Sequence, residues 1–157
     1  MPRPGPDPTD RSRSLTGAEE KVAHNAIDAA RALLTGACLD FIKANSQYDP
    51  LKVLDDLQRG GGFQYRDRSN AAGEIKHGGR GSSDTIFLTN SFFNPGQTYF
   101  FLKGSNIVLD VAGFQQEVVL HELRHALIGR HPIGGSSEDY DRGIRENCFK
   151  QPEGGSQ

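Results

Sequence analysis

No stretch of these 157 residues approaches the ~18 consecutive apolar residues of a transmembrane helix, so no membrane partner is expected. The N-terminus lacks the apolar core of a signal peptide, and nothing in it directs export. Charge of one sign is missing too. Eighteen basic and 20 acidic residues leave a formal net charge of −2, which gives no electrostatic case for a nucleic-acid partner. Cysteine occurs twice, at Cys38 and Cys148, and neither belongs to a Cys-x-x-Cys pair, which excludes the common thiolate metal and redox motifs. A bridge between the two would close a loop of more than 100 residues. Such a bridge is worth up to ~4–5 kcal/mol in the entropic treatment and would imply an oxidising, secreted or exported context. Two independent thiols are the other arrangement. Hydrophobic residues make up only 35%, against 19 glycines and 8 prolines, which points to a loop-rich chain. The length fits one domain with a single core, expected to be monomeric.

Residues 1–14 alternate proline with small and charged residues and cannot bury enough apolar surface to order themselves; they are expected to be a disordered linker or tail, as are residues 151–157. Between them, 15–150 is the expected folded domain. Thr16 and Glu19 form a Thr-x-x-Glu capping box, after which Val22, Ala26, Ala30 and Leu33 recur at helical spacing. Gly36 ends this helix or weakens it before Cys38 to Ile42 continues the apolar face. A second helix is predicted over 49–59, with Pro50 in its first turn and Gly60-Gly61-Gly62 as its stop. The Gly-, Arg- and aromatic-containing residues 60–83 read as a surface loop beside the active cleft. Their composition also suits single-stranded nucleic acid, although Asp67, Glu74 and Asp84 dilute the charge. Thr85 to Thr89 reads as a strand. Asn94-Pro95-Gly96 marks a turn and Tyr99 to Leu102 a returning strand, so 85–102 is expected to be a hairpin. Asp110 is placed to cap the next helix.

That helix carries the chemistry. Val118 to Ile128 holds His-Glu-x-x-His inside an apolar run. Residues four apart share a helix face, so His121 and His125 can aim two imidazole nitrogens at one point. Zinc accepts neutral imidazole at about 2.0–2.1 Å and prefers four ligands in a tetrahedron. Glu122, rotated by about 100°, can reach a water on that metal without competing for it. Ordinary hydrogen bonds and a helix salt bridge are the bland alternative for the same three side chains. Yet burying them among Val118, Val119, Leu120, Leu127 and Ile128 costs several kcal/mol without a compensating partner.

At these residues the chain resembles the zincin metallopeptidases. The resemblance is close over residues 121–131 and loose over about 84–150. It implies zinc on His121 and His125, Glu122 as general base, and a sheet-edge strand that binds substrate main chain. One of the strands at 85–89 and 99–102 is the candidate for that role. His131, ten positions past His121, matches the third ligand of the long metzincin motif. The chain departs from that motif at Ile128, where the family has glycine, and its one methionine, Met1, cannot form the metzincin Met-turn. Rivals for the third ligand are Glu138, Asp139, Asp141 and Glu146; Asp139 or Asp141 would be in the manner of aspzincins, and Glu146 in the manner of gluzincins. A last helix is expected from Ser136-Ser137-Glu138, burying Tyr140, Ile144 and Phe149 and carrying Cys148. Tyr140 either packs in the core or donates its hydroxyl to an oxyanion beside the metal.

The expected fold is therefore α+β and zincin-like: N-terminal helices, a small twisted β-sheet, an active-site helix and a C-terminal helix. The expected function is Zn2+-dependent hydrolysis of a peptide or protein substrate, with catalytic Glu122 and Tyr140 and metal ligands His121, His125 and His131. Three other readings stand beside it. They are an effector domain cut from a larger bacterial protein, a zinc module without turnover, and a nucleic-acid-binding domain built on the Gly/Arg stretch.

Overall fold

The computed structural model describes residues 12–68, 70–78, 84–128 and 137–149. It is a mixed α and β protein. Among the described residues, six helices surround a small mixed sheet, and no helix is long and apolar enough to cross a membrane.

The chain enters as a short strand, β1 (Ser12–Ser14), laid antiparallel on β2 (Phe63–Arg66). Residues 12–14, expected to belong to the tail, form this strand. Helix α1 (Gly17–Leu33) starts at the predicted capping box: the Thr16 hydroxyl accepts from the Glu19 amide while the Glu19 carboxylate accepts from the Thr16 amide. Its small face, Ala23, Ala26, Ile27 and Ala30, is buried against the core. Gly36, at a φ of +51°, opens a separate helix α2 (Gly36–Lys43), so the chain breaks there rather than continuing. Helix α3 (Pro50–Arg59) begins at Asp49, whose side chain accepts from the Leu51 amide, and stops at Gly60 as expected.

The sheet departs from the sequence reading. Residues 60–83 are not simply a surface loop, because they contribute β2 and β3 (Gly73–Lys76). Strand β4 (Thr85–Thr89) lies between these two, parallel to β2 and antiparallel to β3, giving the order β1-β2-β4-β3. The hairpin expected over 85–102 does not form. Both sides of β4 are already paired, and the Thr89 hydroxyl accepts from the Ser91 amide to start a short helix α4 (Asn90–Phe93), which buries Phe92 completely. The returning strand, β5 (Tyr99–Phe100), pairs instead with β6 (Leu109–Asp110) in a separate two-stranded sheet.

Helix α5 (Val111–Ile128) runs through the core, capped by the Asp110 carboxylate on the Gly113 amide at 2.8 Å. Val119, Leu120 and Leu123 are fully buried on it and pack with residues of α1, α2 and α3. Helix α6 (Ser137–Ile144) runs on into a π-helical turn, Arg145–Phe149, where Cys148 is disulfide-bonded to Cys38 of α2. Tyr140 and Ile144 are its buried residues, as their spacing predicts, whereas Phe149, expected to be buried with them, lies in the π-helical turn and is only partly buried.

Candidate active site

Each side of α5 meets a different element, and this distributes its polar residues. His121 and His125 stand one turn apart with ring centroids 5.1 Å from each other. His121 faces α6, where its Nδ1 lies 2.7 Å from an Asp141 carboxylate oxygen. Burial works against a charged imidazole there, but the Asp141 hydrogen bond, with Asp141, Glu122 and Glu117 as nearby carboxylates, raises the His121 pKa above its ordinary value.

Glu122 faces the sheet. It is 6% exposed and lies directly beneath Gly73 of β3. A Cβ at position 73 would come within 2.8 Å of Val118 Cγ1 and 3.0 Å of Glu122 Cγ, so only glycine lets the strand approach this closely. Burial pushes the Glu122 carboxyl up to about 7, against the opposing pull of His121 and with Asp141 and Glu74 adding to the rise. A base that exchanges its proton near neutrality is what general acid–base catalysis needs.

Arg124, between the two histidines, serves the fold. It is buried and donates to the Ile42 and Ala44 carbonyls, satisfying the open C-terminal end of α2. Glu117, one turn before His121, is buried in a bidentate pair with Arg145: Nε to Oε2 at 2.6 Å and Nη2 to Oε1 at 3.2 Å. The remaining Arg145 nitrogen, Nη1, donates to the carbonyls of Phe100 and Ile107.

Tyr140, the second expected catalytic residue, is packed into the core. Its ring stacks on Phe41 at 4.9 Å and stands edge-on to His121 at 5.8 Å. Its hydroxyl is buried without a hydrogen-bond partner among the described residues.

A cleft of about 320 Å³ opens over these groups. His121, Glu122 and Asp141 line it together with Ala71, Ala72 and Gly73 at the head of β3. Of the two strands expected to border the cleft, β4 is interior and β5 belongs to the other sheet; the sheet-edge strand beside Glu122 is β3.

Among the suggested third ligands within the described residues, Asp141 is hydrogen-bonded to His121. Asp139 pairs with Arg142 on its own helix, and Glu138 and Glu146 are exposed. His131 lies outside the described residues. Within them, no group of three or more His, Cys, Asp and Glu side chains is arranged to hold a metal ion. Sequence reasoning passed over Gly73, Glu117 and Arg145. A signal for Glu117 existed: it precedes His121 by the same four residues that separate His121 from His125, so all three share a face. Compared with protein-family models, curated proteins and solved structures, the chain finds no match.

Proposed function

We propose that the chain is a zinc-dependent peptidase that hydrolyses peptide bonds in a peptide or protein substrate. The observation that carries this reading is the Asp141–His121 contact at 2.7 Å beside the buried Glu122. The donor chemistry fits zinc. Two imidazoles lie one turn apart, and a carboxylate on the far nitrogen of one fixes its tautomer, as metal-bound histidines require. With Nδ1 engaged by Asp141, His121 would hold the ion through Nε2. Asp141 is then an orienting partner, and His131 is the third ligand we favour.

Zinc, when bound, supplies Lewis acidity, polarising a carbonyl and acidifying a water. The chain's own residues do the rest. Glu122 takes the proton of the attacking water and returns it to the leaving amine, a shuttle suited to a carboxyl held near neutrality by burial. Water access to that carboxyl is restricted, since Glu122 is 6% exposed and lies against Gly73. Among the described residues β3 is an edge strand of its sheet, along which an extended peptide can add as a further strand.

The test is zinc content and affinity in the wild type, His131→Ala, Asp141→Asn and Glu122→Gln, with peptide turnover measured on each. One zinc per chain is expected, lost in His131→Ala. In Asp141→Asn it is retained with roughly 10–100-fold weaker affinity, the usual effect of removing an orienting partner. Glu122→Gln should keep zinc and lose turnover. A wild type that takes up no zinc after metal loading would end the proposal. Zinc lost with Asp141 and kept without His131 would make Asp141 a ligand. Four protein ligands and no turnover would identify a structural zinc instead.

A further inference from the structure

Two polar rungs join α5 to the segment that carries Asp141. The first is His121 with Asp141 at 2.7 Å, and both side chains are partly open to solvent, 13% and 26% exposed. A single contact between partly solvated groups holds two helices only weakly, because water competes for both partners. The second rung is Glu117 with Arg145, buried on both sides. Four residues separate Glu117 from His121, and four separate Asp141 from Arg145. The rungs therefore stand one turn apart and run in opposite chain directions.

The second rung is the rigid one. Arg145 Nε and Nη2 take the two Glu117 oxygens, and Nη1 donates to the carbonyls of Phe100 and Ile107. One guanidinium is thus bonded to α5, to β5 and to the chain just before β6. A planar fork held at four acceptors cannot turn or slide without breaking charge-assisted bonds in a dry site. Asp141 lies one turn away on the same continuous segment, so the seat of Arg145 decides where the Asp141 carboxylate meets His121. We infer that Glu117 and Arg145 are positioning residues for His121: acting through Asp141, they hold the imidazole with its proton on Nδ1 and its lone pair on Nε2. The inference rests on the zinc reading only for what Nε2 binds. The proton placement belongs to the metal-free protein.

The experiment records the ring-nitrogen NMR shifts of His121 in the full, metal-free chain at alkaline pH, which distinguish the two neutral tautomers, and then titrates Zn2+ into the same samples. In the wild type the Nδ1–H form is expected to dominate. Glu117→Met with Arg145→Met removes both charges together and leaves no unpaired ion, so it is expected to fold with a Tm close to that of the wild type. In that variant His121 should shift toward the Nε2–H form, and Zn2+ affinity should fall about tenfold or more, the scale of a lost orienting contact. Adding Asp141→Asn should then cost less than about threefold, because the two changes remove one linkage. Should the double variant not fold, Arg145→Lys keeps a charge opposite Glu117 but cannot form the fork, and the same shift of tautomer with about tenfold weaker Zn2+ binding is expected. A merely structural pair would move Tm and leave the tautomer where it was. That outcome, a full additional loss from Asp141→Asn, or a wild type in the Nε2–H form would each overturn the inference. An Nδ1–H form that is lost in the variant, in a protein that takes up no zinc, supports the inference and rejects the zinc reading alone. Zinc bound equally well by wild type and variant rejects the inference alone.

Discussion

Tyr140 shows how much one side chain can decide. Its ring has two aromatic neighbours, Phe41 and the edge of His121, and its hydroxyl is buried without a partner among the described residues. A buried hydroxyl that makes no hydrogen bond costs about 1–3 kcal/mol in lost hydration. Packing alone therefore predicts that Tyr140→Phe, which keeps the ring and deletes the oxygen, melts at or above the wild-type temperature. Thermal unfolding checks this directly. If instead the hydroxyl donates to an oxyanion during turnover, kcat falls by about tenfold or more at an unchanged Tm, since an oxyanion donor is worth several kcal/mol in the transition state alone. The two measurements together separate a core residue from a catalytic one. The neighbouring Gly73 makes a comparable point about close approach. No side chain fits between β3 and Glu122, so the identity of the residue above that carboxyl is fixed by space rather than by chemistry.

At the scale of the element, α1 gives the clearest pH-dependent contribution. Glu19 closes the capping box at Thr16 and also receives both terminal nitrogens of Arg13 from β1, at 2.7 and 2.9 Å. The hydrogen bonds from Arg13, then those from Thr16, hold its carboxyl down to about 2. A depressed carboxyl contributes stability that is fully present above its ordinary value of 4.5 and is lost as pH falls toward about 2. Glu19→Gln should therefore be less stable than the wild type at pH 7, with the difference shrinking through pH 4 and vanishing near pH 2. Urea unfolding at a series of pH values measures it, and a difference that persists unchanged at pH 2 would point to lost packing instead. The Thr16–Glu19 half of this arrangement was legible in the sequence because it is local, as were the Asp49 and Asp110 caps and the His121–His125 spacing. Contacts between distant strands and helices were not. Strand β3, Gly-Glu-Ile-Lys, carries a single apolar side chain, too little alternation to distinguish it from a loop. The Tyr99–Phe100 strand was recognised but given the wrong partner, because nothing local in Thr85–Thr89 says that both its edges are already occupied. Glu117 and Arg145 lie 28 residues apart, and only the packing of α6 brings them together.

Across the whole molecule, the segment from Ser137 to Phe149 ties the site to the rest of the fold. It carries Asp141 to His121, Arg145 to Glu117, and Cys148 to Cys38. Packing holds it as well. Ile144 is fully buried, and the Phe41 ring is so close to Gly143 that an added Cβ would lie 2.3 Å from it. The disulfide spans a sequence separation of 110 residues, long enough for it to restrict the unfolded chain strongly. A crosslink of that span is worth up to about 4–5 kcal/mol, and 2–4 kcal/mol is the usual yield. For a chain of this size, each kcal/mol corresponds to about 2–4 °C, so reduction, or Cys38→Ser with Cys148→Ser, should lower Tm by roughly 8 °C. The site adds a second readout that separates two ways of losing the bridge. If the disulfide is what keeps α6 seated, affinity for zinc at the proposed site falls along with Tm, and Asp141→Asn adds little to that loss because the contact it removes is already gone. If Ile144 and the Glu117–Arg145 pair seat the helix without help, Tm falls alone, and Asp141→Asn costs as much in the reduced protein as in the oxidised one. The first result would make metal binding depend on an oxidising environment. The second would confine the bridge to stability, leaving the geometry at His121 to packing and the buried ion pair.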